Sequence, residues 1–131
     1  MREDSPGQEL VDEFILKEIE TVPHLEALLL IWRSRPRRWS LDEMGRALFL
    51  DAKATTPILD DLARRGLIVL AAAEAGRSWE YATEEDRDRL MLQVEVAYRN
   101  ELIRISRMIH AKAPAAVREF ARAFRFKKER D

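Results

Sequence analysis

Hydrophobic and polar positions alternate along this chain with a mostly helical period. Gln8 to Glu20 (QELVDEFILKEIE) puts Leu10, Val11, Phe14, Ile15 and Ile19 on one helical stripe. Thr21, Val22 and Pro23 interrupt it, since proline is tolerated near a helix start and not in its interior. A second helix, His24 to Arg33, buries Leu25, Leu28, Leu29 and Trp32, and SRPRR connects it to the next element. Ser40 opens a third helix as a capping box with Glu43, and its apolar positions are Leu41, Met44, Ala47 and Leu48. Phe49 and Leu50 form a turn, Asp51 caps a fourth helix running to about Arg65, and Gly66 ends it.

The period then changes. LIVLAAA and SWEYAT read as two short strands joined through EAGR, where Gly76 favours a hairpin turn. From Glu84 the spacing is helical again, with Glu84, Glu85, Asp86 and Asp88 at the end where the helix dipole favours acids. Met91, Val94, Tyr98, Leu102, Ile105 and Ile109 make one long stripe, expected to run unbroken through 84–112. Pro114 stops it, AAVREFARAF forms a last amphipathic helix through Val117, Phe120, Ala121 and Phe124, and FKKERD is a solvated tail. No repeat or low-complexity linker is visible, so three segments follow: 1–20, 21–83 and 84–131.

At 131 residues the chain is long enough for one domain with a real core, and 47% hydrophobic with 36% charged residues is the mix of a soluble helical protein. It has no cysteine, which excludes disulfides and thiol ligands. MREDSPGQELVDEF lacks the apolar core of a leader, and ALLLIW is too short to cross a bilayer, so a cytoplasmic location without membrane contact is expected. Net charge is −1 but polarised: residues 1–30 hold eight acids against two bases, and residues 99–131 ten bases against four acids. Such an acidic head and basic tail can pair within a dimer or meet an anionic partner.

Helix, short helix, tight turn, helix, hairpin: with SLDEMGRALFLD, LDDLARRGLIVL and EAGRSWEYAT, this order resembles the winged helix-turn-helix of bacterial transcription regulators. It looks most like the MarR-type group, with PadR-type proteins second, over Leu25 to Thr83. The resemblance implies a mainly α fold with a two-stranded β-wing and flanking N- and C-terminal helices that build a homodimer. It also implies that the helix after the turn enters the major groove of double-stranded DNA.

On that helix the residues facing outward near its start are Ala52, Lys53, Thr55 and Thr56. Lysine contacts phosphate, while threonines contact phosphate or a thymine methyl. Pro57 leaves two readings open: it kinks the helix from inside, or Thr55 or Thr56 caps and Pro57 is the first helical residue. Asp60 and Asp61 add negative charge to the outer side, partly offset by Arg64 and Arg65. Further candidate DNA contacts are Arg33, Arg35, Arg37 and Arg38 before the capping box and Arg77 at the wing tip. The tail bases Arg122, Arg125, Lys127, Lys128 and Arg130 fit dimer-face partners or solubilising groups better.

His24 and His110 are far apart in sequence and lack metal-ligand spacing, so no metal site is expected. No nucleophile motif, phosphate loop or cofactor box is present, and an enzyme is not expected. Trp32, Trp39, Trp79, Tyr81 and Tyr98 fit a core better than a ligand pocket. Two functions follow: a DNA-binding regulator, or a winged helix that docks a basic protein partner through Pro57, Asp60 and Asp61.

Overall fold

The computed structural model describes residues 6–73 and 76–112. The final helix expected after Pro114 and the basic tail lie outside them. Nine elements follow in chain order: α1 (Pro6–Glu18), α2 (Val22–Arg33), β1 (Trp39–Ser40), α3 (Leu41–Leu48), α4 (Ala52–Arg64), β2 (Ile68–Ala73), β3 (Gly76–Tyr81), α5 (Glu85–Asn100) and α6 (Leu102–Ala111).

Local chemistry sets most boundaries. Thr21 caps α2 by accepting from the His24 amide, and Pro23 sits in its first turn, where no helical N–H is needed. The Ser40–Glu43 capping box forms in both directions, at 3.1 and 2.9 Å. Asp51 Oδ1 accepts from the Ala54 amide at 2.8 Å and starts α4. At its other end Gly66, at φ 78°, lets the Leu67 amide return to the Leu62 carbonyl and its own amide to Ala63. The chain thereby turns into the sheet.

α2 forms the centre of the core, with Leu25, Ala27, Leu28, Leu29 and Ile31 fully buried. α4 packs on it through Ile58, Leu59 and Leu62, α5 through Met91 and Val94, and α6 through Ile105 and Ile109, while α1 packs against α5 and α6 through Val11 and Ile15, with Ile19 buried just past its end. Trp32, Trp39, Trp79 and Tyr81 are all core, and Tyr98 is half-buried against it. Lys112 donates to the Leu16 carbonyl at 2.9 Å and also to that of Ile19, closing the open end of α1 with a cation.

The expected two-stranded wing is present as β2–β3, and β1 adds a third strand on the far side of β3, in the order β1-β3-β2, with Trp39 and Ser40 pairing with Trp79 and Ser78. Three expectations are corrected. The stripe over 84–112 is broken: Glu101 leaves helical geometry (φ −131°, ψ 46°), dividing α5 from α6. The break rotates Leu102 outward, so that it is exposed while Ile105 and Ile109 stay buried. Leu10 is exposed too, the buried face of α1 being the narrower row Val11 and Ile15, which Ile19 continues just past the helix end.

Candidate nucleic-acid interface

α3 and α4 form a helix-turn-helix, and the hairpin β2–β3 stands beside α4. Gly45 makes the close approach of the two helices possible: a Cβ there would lie 2.8 Å from the Leu50 carbonyl oxygen. Among the alternatives for Pro57, the structure selects the kink-prone one, since Asp51 is the cap and Pro57 lies inside α4. Pro57 has no N–H to give the Lys53 carbonyl. One turn earlier, Thr55 and Thr56 donate their hydroxyls to the Asp51 and Ala52 carbonyls, at 2.7 and 2.8 Å.

That geometry sorts the candidates. The exposed side of α4 carries Lys53, Pro57, Asp60 and Arg64, with Thr56 partly exposed among them. Thr55 is fully buried, pointing back at α3 beside Gly45, and is thus an inward-facing residue and not the outward reader expected. Asp61 also faces inward. Its carboxylate accepts from Arg65 Nε at 3.0 Å and from Arg64, and lies 3.3 Å from His24 Nε2. Arg65 extends the network to the Lys17 carbonyl at 2.9 Å and to Glu18 at 3.4 Å, holding α4 to the end of α1.

The arginines before the capping box do not form one patch. Arg33 pairs with Glu95 at 2.7 Å, Arg37 with Glu43 at 3.5 Å and Arg38 with Glu80 at 3.6 Å. Arg35 donates to the Trp32 carbonyl and stacks on the Trp32 ring, 4.5 Å from its centre. Arg77 lies within β3 opposite Ala72, one residue in from Gly76, and reaches back to Asp60 at 3.4 Å. It thus bridges the hairpin to α4 instead of extending from the tip. Lys53 and, unanticipated from the sequence, Arg46 on α3 are exposed cations without an ion pair among the described residues. The signal for Arg46 was present: it sits off the Leu41, Met44 and Leu48 stripe of a short amphipathic helix.

His24 is buried at the start of α2, and burial pushes its pKa below the ordinary value, against the opposing pull of Asp61 and Glu20. Arg65 and Lys112 add to the downward shift. A neutral ring with its proton on Nε2 suits these neighbours, since Nε2 lies 3.3 Å from an Asp61 carboxylate oxygen and the Thr21 hydroxyl, 2.6 Å from Nδ1, can donate to the other nitrogen. A histidine with a depressed folded pKa takes its proton more readily when unfolded, so acidification favours unfolding. Stability should be level above about pH 6.5, the unfolded value, and should fall as pH drops below it until the folded pKa is passed. Urea midpoints at pH 7.5 and 5.5 check this: the wild type should be weaker at 5.5, and His24→Gln should remove most of the difference.

No family model matches the chain, and no curated protein sequence does. Solved structures do. A MarR family protein from Bacillus stearothermophilus is similar at 17% identity and a TM-score of 0.52, over 95% of this chain and 84% of its own. The homodimeric winged helix-turn-helix DNA-binding domain Mb0332 from Mycobacterium bovis, a possible ArsR-family regulator, gives 18% and 0.54, over 78% and 94%. A mutant of MepR from S. aureus, bound to an oligodeoxyribonucleotide, gives 12% and 0.55, over 93% and 86%. The fold is therefore a winged helix-turn-helix, shared with these neighbours. Among the described residues no helix is long and apolar enough to cross a membrane.

Proposed function

We propose that this chain is a DNA-binding transcription regulator that works as a homodimer, with α4 entering the major groove and β2–β3 lying along the backbone. The observation that carries this reading is the exposed side of α4: Lys53 and Thr56 stand near its N-terminal end, and Lys53 and Arg46 are bound to no carboxylate among the described residues. Residues near that end of the second helix are the ones that reach base edges in a helix-turn-helix. The neighbours include a homodimeric DNA-binding domain and a protein bound to an oligodeoxyribonucleotide, which supports the same assignment. For the dimer, Leu92, Val96 and Ile103 on α5 and α6 and Leu10 on α1 are exposed apolar residues, and a groove of about 370 Å³ runs between α1 and α5.

Fluorescence anisotropy with labelled duplexes over a range of salt tests the proposal. Binding should weaken steeply with salt, and Arg46→Ala or Arg77→Ala should lower the slope by about one for each phosphate no longer held. Lys53→Ala and Thr56→Ala should change preference among sequences. Asp60→Asn should tighten binding to all of them, because it frees Arg77 and removes a negative charge from the exposed side. A wild type that fails to bind at low salt would sink the reading and leave the protein-docking alternative to a pull-down.

A further inference from the structure

Phe49, in the turn between α3 and α4, has a backbone and an exposure that are both costly. At φ 61° it is the one non-glycine residue with positive φ among those described, in a region where a side chain crowds its own backbone. Its side chain gains nothing in return from the fold, being 92% exposed, more than any other large hydrophobic residue described. A strained, solvent-facing phenylalanine is a reason to look for what the ring meets.

Position narrows the choice. Phe49 follows α3 directly and precedes the Asp51 cap of α4 by two residues, on the end of α4 that carries Lys53. It shares an open cleft with Leu41, Arg46 and Leu50. Two carboxylates, Asp42 and Asp51, line the same cleft, and Asp51 is committed to the Ala54 amide. The cleft as a whole is therefore no phosphate site. What it offers is an apolar ring beside one cation, Arg46, at the end of α4 whose first turn carries the exposed Lys53. On its opposite side Phe49 borders a second cleft containing Glu26, whose carboxylate accepts from Tyr98. That side presents no unpaired cation among the described residues.

We propose that Phe49 is a DNA-contact residue whose ring packs on the apolar CH surface of the duplex, deoxyribose or thymine methyl, at the edge of the groove that α4 enters. This rests on the DNA-binding reading above. Arg46 and Lys53 hold the flanking phosphates, and the ring excludes water between them.

The test uses the full chain, with Phe49→Gly and Phe49→Trp, against alternating dA-dT and dA-dU duplexes at several salt concentrations. Glycine is at ease at this φ, so Phe49→Gly should melt no lower than the wild type. It should nevertheless lose about fivefold or more in affinity at every salt concentration, with an unchanged salt slope, since no cation is removed. Phe49→Trp should retain binding. A loss that shrinks on dA-dU assigns the thymine methyl, and one that persists assigns the sugar. Equal affinity of wild type and Phe49→Gly overturns the proposal, as does a reduced slope. A changed sedimentation coefficient in Phe49→Gly also overturns it, because the ring would then be holding a second copy. If the wild type binds no duplex, the regulator reading itself has failed, an outcome visible before any variant is compared.

Discussion

Gly45→Val should cost about 3 kcal/mol or more in urea unfolding, a large share of a small domain's stability. A Cβ at this position would stand 2.8 Å from the Leu50 oxygen and 3.3 Å from Thr55 Oγ1. The first is backbone, fixed by the Leu50 amide bonding to the Gly45 carbonyl at 2.9 Å, so the clash is relieved only by parting α3 from α4. Gly45→Ala adds the same Cβ but recovers about 1 kcal/mol of helix propensity, and should fall between wild type and valine. The ranking is the diagnostic: an alanine variant as unstable as the valine one would mean that side-chain volume is not what limits the site.

Trp79→Ala should be as damaging, at roughly 3–5 kcal/mol. The side chain is fully buried in the middle strand, between Trp39 on β1 and Leu70 on β2, so its removal opens a cavity where the sheet meets α2. Trp79→Phe separates volume from hydrogen bonding. The indole Nε1 is buried with no hydrogen-bond partner among the described residues. Phenylalanine therefore forfeits packing area and part of the stacking with Arg77, 5.2 Å from the ring centre, but no hydrogen bond, and should cost less than half as much. Differential scanning calorimetry of the two variants gives the comparison directly.

The elements with local signatures were readable from sequence. Ser40 with Glu43, Asp51 and Gly66 act within four residues, and the structure places each as a cap or stop. The break at Glu101 was not readable, because NELIRIS contains no glycine or proline and Leu102 keeps the apolar spacing that a continuous helix would have. β1 is two residues long, too short for any periodicity to register. Arg33 and the arginines of SRPRR looked like one patch because distant partners draw two of them away: Glu80 is forty-two positions after Arg38 and Glu95 sixty-two after Arg33. Thr55 misled for another reason. Threonine suits both a DNA contact and a helix interior, and only its packing against Gly45 decides.

The paired aspartates of α4 differ in what their loss would cost. Asp60 is half-exposed and, among the described residues, held by Arg77 alone, so substitutions there retune the exterior without endangering the fold. Asp61 accepts from Arg64 and Arg65, lies 3.3 Å from His24 Nε2 and is nearly buried. Its loss would leave buried donors unanswered on two helices at once. The charge that α4 shows to solvent can therefore be changed at Asp60 in a single step, whereas a change at Asp61 calls for a compensating one at His24 or Arg65.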